Sequence, residues 1–256
     1  AQDIRDLTKK MENDGWYKPS AYWYIKKTIQ SLCLLVAAWA CVVYGWHVGN
    51  VNIQYLGGFL VGCFWQQSNF LGHDAGHQAV IQHRGWNNFY GIFVGNIFAG
   101  LSIAWWRHSH YTHHVVTNVT SHDPDIQHLP VFAITADFFT ANHNKKISKF
   151  GEVFFWKLSK AIVSIQHYLF YPVMTIARIN LHALSFVHVM THENCPNRML
   201  ELFALGLFWC WWLFMLSFLP DTSSLVLFYY LSHLSVSLIH VQICVSCHER
   251  KIGHAN

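Results

Sequence analysis

The chain of 256 residues is 53% hydrophobic and only 12% charged, with 12 Trp, 11 Tyr and 19 Phe. A mean hydropathy of +0.21 excludes a disordered tail or a disulfide-stapled secreted module, because most of the surface as well as the core must face something apolar. The net charge of +4 comes without a long basic run on a soluble surface, so nucleic acid is not an expected partner.

Residues 1–27 hold six of the 17 basic side chains and are expected to form a cytoplasmic N-terminal segment. The chain opens on Ala1 without a signal-peptide pattern and reads as part of a longer one. Residues 28–48 then run 21 positions without Asp, Glu, Lys or Arg, and residues 53–71 a further 19. Each can cross a hydrocarbon core of about 30 Å at about 1.5 Å per residue. The four residues between them allow only a tight helical hairpin. The pattern returns at 202–219 and 224–246 around the turn Pro220-Asp221-Thr222-Ser223. The expected fold is all-α and integral to a membrane, four transmembrane helices arranged as two hairpins within a membrane domain spanning 28–246.

Nine further basic residues lie between Arg84 and Arg198, two more are Arg250 and Lys251, and neither hairpin turn has any. Enrichment of Lys and Arg on the cytoplasmic side places the N-terminus, the stretch 72–200 and the C-terminus on that face. The apolar runs 88–106 and 161–190 are flanked by basic residues at both ends, so helices lying on or dipping into the membrane are expected there, in a cytoplasmic and interfacial cap. The seven cysteines sit mostly in apolar stretches, where a thiol behaves as a small hydrophobe.

The 19 histidines are the anomaly, and eight of them fall between His73 and His122. His73-Asp74-Ala75-Gly76-His77 is an H-x-x-x-H whose spacing puts both imidazoles on one helix face. His110, His113 and His114 form H-x-x-H-H, again a single face. Five ligand candidates at two helix starts are thus expected to converge at the membrane surface. Lone histidines such as His47, His143 and His167 are better read as polar residues satisfied by water. Neutral imidazole suits iron, zinc, copper and nickel, so the pattern does not name the metal. His192-Glu193 and His248-Glu249 lack the second histidine of H-E-x-x-H, and no E-x-x-H pair occurs, which argues against a zinc metalloprotease and a soluble carboxylate di-iron bundle.

Gly72-His73-Asp74-Ala75-Gly76-His77 resembles the first box of the membrane-bound histidine-box lipid desaturases, and Trp105-Trp106 through His114, followed by Thr117-Asn118, resembles the second. His122-Asp123-Pro124-Asp125-Ile126-Gln127 is similar to the stretch that follows in the front-end branch, which includes sphingolipid delta-8 desaturases. The resemblance extends from Trp16-Tyr17-Lys18-Pro19-Ser20 to His240-Val241-Gln242.

It implies a lipid desaturase that introduces a C=C double bond into a fatty-acyl or sphingoid chain with O2. Electrons would come from cytochrome b5 and its NADH-dependent reductase, and the two irons would face the cytoplasm, in the endoplasmic reticulum membrane. Carried over residue by residue, His73, His77, His110, His113 and His114 are the implied iron ligands. Asp74 is an expected acceptor for a ligating imidazole, since such rings usually donate their other N–H to a carboxylate; the alternative is a helix-terminal charge.

The chain also departs from the pattern. It has no His-Pro-Gly-Gly haem motif, and the third box, Gln-x-x-His-His, does not occur. Where a histidine is expected it has Cys247, followed by His248, so 247–256 is an atypical C-terminal end and the chain is expected to be truncated and inactive alone. A lipid hydroxylase of the same metal architecture, a metal transporter and a non-catalytic membrane protein are the alternatives. Double-bond position, head group and oligomeric state are not legible in the sequence.

Overall fold

The computed structural model describes residues 2–139 and 149–252, the side chains of 149–153 and 240–252 excepted. His143 and the side chains of Cys247 and His248 therefore lie outside the described residues. Among the described residues there is no strand. In chain order the helices are α1 (Gln2–Asn13), α2 (Ala21–His47), α3 (Val51–Gly76), α4 (Arg84–Gly91), a π-helical segment (Ile92–Phe98), α5 (Ile103–Val115), α6 (Lys149–Ser164), α7 (Gln166–Thr191), α8 (Arg198–Leu216) and α9 (Thr222–Ile252). Two units form, one from residues 1–103 and 197–232, the other from residues 104–196 and 233–256.

In the first unit, α2 starts seven residues before the expected span because Ser20 caps it, its hydroxyl accepting from the Trp23 N–H at 3.3 Å. Gly49, at φ +66°, turns the chain, and the Asn50 side chain caps α3 by accepting from Asn52 N at 3.0 Å. The helices then pair in opposite order: Gly45 against Gln54, Gly57 against Ala38 and Val42, Ser31 Oγ with Ser68 Oγ at 3.2 Å, and Tyr24 with Asp74. A Cβ on Gly57 would come within 2.8 Å of Val42 Cγ2 and 3.0 Å of the Ala38 carbonyl, so absent side chains are what let these backbones approach.

Among the described residues, four helices are long and apolar enough to cross a membrane: Ala21–His47, Gln166–Thr191, Arg198–Leu216 and Thr222–Ile239. Three of them overlap the expected spans 28–48, 202–219 and 224–246, and the fourth is α7 in place of the run 53–71. Helix α3, with the expected span 53–71 inside it, is long enough, but Gln54, Gln66, Ser68 and several glycines make it less apolar, and they are buried. Conversely α7, expected at the interface, is continuous through Pro172, and its one charged side chain, Arg178, is only 4% exposed.

The apolar run 88–106 is interrupted. The π-helical segment stops at Phe98, Gly100 takes φ +70°, and α5 restarts at Ile103. Hydrogen bonds within the first unit hold the break. Gly100 N–H and Leu101 N–H donate to the carbonyls of Asn96 and Gly95, each at 3.0 Å. The indole N–H groups of Trp211 and Trp65 donate to the carbonyls of Ile97 (2.8 Å) and Phe98 (3.1 Å). The side-chain Oδ1 of Asn96 accepts from Ile103 N–H at 3.1 Å, and its Nδ2 donates at 3.0 Å to Glu201, which also accepts from the Ser102 hydroxyl. Irregular backbone at membrane depth is tolerated only when its polar groups are met in this way.

The close contact of α2 with α3 yields a paired prediction. Gly57→Ala should lower the melting temperature in detergent, as overpacking costs about 1–3 kcal/mol. Gly206→Ala, where a Cβ meets nothing within 4 Å, should leave it unchanged or raise it through helix propensity.

Candidate metal centre

The first imidazole pair sits at the C-terminal end of α3, which runs five residues past the expected end of the second span to Gly76, with His77 as its C-cap. His73 and His77 face one another with ring centroids 4.6 Å apart, and each offers a ring nitrogen within 4.8 Å of the other's. His73 Nδ1 lies 3.3 Å from Asp74 Oδ1, while Asp74 Oδ2 accepts from the Tyr24 hydroxyl at 3.1 Å. Asp74 therefore sits behind the pair, between a ring N–H and a phenol on α2.

The triplet belongs to the second unit and lies in the last turns of α5. Both sets thus lie at helix ends rather than the expected starts, and the helix C-terminus, with its unmatched carbonyls, is the end that favours a cation. His110 Nε2 and His114 Nε2 are 3.1 Å apart. Two nitrogens each about 2.1 Å from one ion at angles of about 90–109° are separated by about 3.0–3.4 Å. The His113 ring centroid lies 5.5 Å from that of His110 and 5.6 Å from that of His114, and the Trp106 ring stacks on His110 at 4.3 Å.

Two carboxylates stand behind this triplet. His113 Nδ1 is 2.9 Å from both oxygens of Asp123, and His110 Nδ1 is 3.2 Å from Asp125 Oδ2. Asp123 is fully buried and also accepts from the Asn118 N–H at 2.7 Å and the Asp125 N–H at 2.9 Å. Asn118 adopts φ +63°, which folds the loop back over α5. Burial pushes the Asp123 carboxyl up, but bonds from Asn118, His113 and Asp125 outweigh it and hold the group below the ordinary carboxylate range. A lowered native pKa makes this contribution fully present above the unfolded value; it is lost as pH falls through the folded one.

Such carboxylate-backed imidazoles fit a transition metal: the tethered Nδ1–H fixes the tautomer and turns Nε2 outward as a donor. Of the residues expected from sequence, His73, His77 and Asp74 come together in one unit and His110, His113 and His114 in the other. Asp123 and Asp125 were missed as functional residues. Their sequence signals are a pair of carboxylates in a Pro-containing turn ten or more residues past the histidines they reach, and their place in the stretch 122–127 that carries the family resemblance.

Residues 50–245 match the sequence profile of the fatty acid desaturase family. The delta(8)-fatty-acid desaturase of Helianthus annuus is 34% identical over 247 residues, which cover 96% of this chain and 53% of that protein. Delta(8)-fatty-acid desaturase 2 of Arabidopsis thaliana is 32% identical over 249 residues, 96% of this chain and 54% of the relative. The delta 8-(E)-sphingolipid desaturase of Emericella nidulans is 32% identical over 258 residues, again 96% of this chain and 46% of the relative. The chain spans about half the length of these curated relatives. No solved structure matches it. With two imidazole sets in the spacing of a metal site and a profile match over most of its length, the chain belongs to the fatty acid desaturase family.

Proposed function

We propose that the chain is the membrane portion of a lipid desaturase that introduces a C=C double bond into a fatty-acyl or sphingoid chain. The pair His73 and His77 and the triplet His110, His113 and His114 would hold two irons at the cytoplasmic face of the endoplasmic reticulum membrane. Cytochrome b5, reduced by its NADH-dependent reductase, would supply two electrons, so that one O2 and two protons leave as two waters while two hydrogens leave the lipid. The observation that carries this reading is the 3.1 Å separation of His110 Nε2 and His114 Nε2, with the rings of His110 and His113 tethered at Nδ1 by carboxylates, in a chain whose relatives are named as desaturases.

Iron, when bound, supplies the oxidising power to take hydrogen from an unactivated methylene, which no side chain provides. The chain's own residues do the rest. Asp123 and Asp125 hold the Nδ1 protons of His113 and His110, and Asp74, itself fixed by Tyr24, serves His73 in the same way. The lipid would need an apolar path past the metal, built from aromatic and aliphatic side chains. Position along that path decides which carbon pair reacts.

Two measurements test the reading. Asp123→Asn should weaken iron binding by about 10–100-fold, the usual effect of removing a partner behind a ligating histidine. Equilibrium dialysis in detergent micelles measures it, and an unchanged affinity counts against the site. Expressed from the intact gene together with cytochrome b5 and its reductase, the protein should yield a lipid with one additional double bond, lost in His110→Ala/His114→Ala. A hydroxylated lipid, or a lipid profile that the double variant leaves unchanged, overturns the desaturase reading.

A further inference from the structure

The first helix, α1, has an apolar face that the protein itself leaves uncovered. Ile4, Leu7 and Met11 follow one another at i, i+3 and i+7, which is one side of a helix, and the charged residues take the remaining circumference. Ile4 is 70% and Leu7 57% exposed, and no residue of the helix is buried. The Thr8 hydroxyl, on the same side, turns back onto the Ile4 carbonyl at 2.9 Å. Gly15, at φ +77°, closes the helix: Trp16 N–H donates to the Met11 carbonyl at 3.0 Å, and the Tyr17 hydroxyl lies 3.8 Å from Met11 Sδ. Tyr17, itself exposed, thereby extends the apolar side. A helix of 12 residues is marginal in water on its own, so one that buries nothing needs a surface against that face.

The segment leads into α2, which is long and apolar enough to cross a membrane. The linking residues 14–20 can span at most about 25 Å. The start of α2 carries the marks of a membrane border: Tyr22 and Trp23 are exposed, and Lys27 reaches back one turn to stand 5.7 Å over the Trp23 ring. Aromatic rings concentrate at the headgroup level, and a lysine near a helix end directs its ammonium toward it. We propose that α1 lies flat in the headgroup–acyl boundary of the bilayer that α2 enters, with Ile4, Leu7, Met11 and Tyr17 facing the acyl chains. Three acidic and three basic residues of α1 cancel, so the apolar face decides and not the lipid charge. Zwitterionic phosphatidylcholine suffices as the partner.

The test uses the full chain in phosphatidylcholine nanodiscs, with a benzophenone amino acid placed at position 7 and photolysed. The expected product is a phospholipid adduct; an adduct with a second chain, or a chain recovered without adduct, overturns the proposal. Hydrogen–deuterium exchange gives the second reading. Ile4→Glu/Leu7→Glu should speed exchange of the α1 amides by at least about tenfold, while the α2 and α3 amides keep their protection and show that the variant has folded. Lys9→Gln/Lys10→Gln should leave α1 as protected as in the wild type. Equal α1 exchange in wild type and glutamate variant overturns the proposal, and so does protection that arises only when phosphatidylserine is added. Should the glutamate variant fail to fold, the photolysis decides alone.

Discussion

A chain this apolar has few places to leave a polar backbone group, and that constraint governs the structure at every departure from regular helix. The clearest case is the break between Phe98 and Ile103. Four carbonyls and three N–H groups around it find partners in one another, in two indoles and in Asn96, and Asn96 is held in turn by the buried carboxylate of Glu201. Without that satisfaction the run 88–106 would gain by continuing as one helix. With it, α5 begins as a separate element.

The same economy of partners recurs at the imidazoles. Asp74 serves His73 and Tyr24 at once, and Asp123 serves His113 and two backbone N–H groups. A ring whose Nδ1 is committed in this way has one direction left in which to donate an electron pair. Fixing orientation before metal arrives lowers the reorganisation that binding requires, which is the contribution a scaffold makes to a centre whose redox chemistry belongs to the metal.

Much of this was legible in the sequence because helix content and histidine spacing are local properties. The 28–48 run marked α2, and the i, i+4 and i, i+3, i+4 spacings marked both imidazole sets. Charge-free length and mean hydropathy agree on three spans and part at two runs. The run 53–71 is free of charge but carries Gln and Gly residues that are polar or small for helix contact, and the run 161–190 carries Arg178, which is buried inside the protein. Residues that act across a turn, Asp123 and Asp125 on the triplet, carry no periodic signature, since only the fold brings them near their partners.

The π-helical stretch Ile92–Phe98 has one more consequence. Such a segment carries one residue more per turn than its α-helical neighbours, so its length, more than its composition, sets the azimuth of everything downstream. Shortening it by a single residue would rotate the following side chains by about 100°, swinging Asn96 off Glu201 and the α5 amide alike.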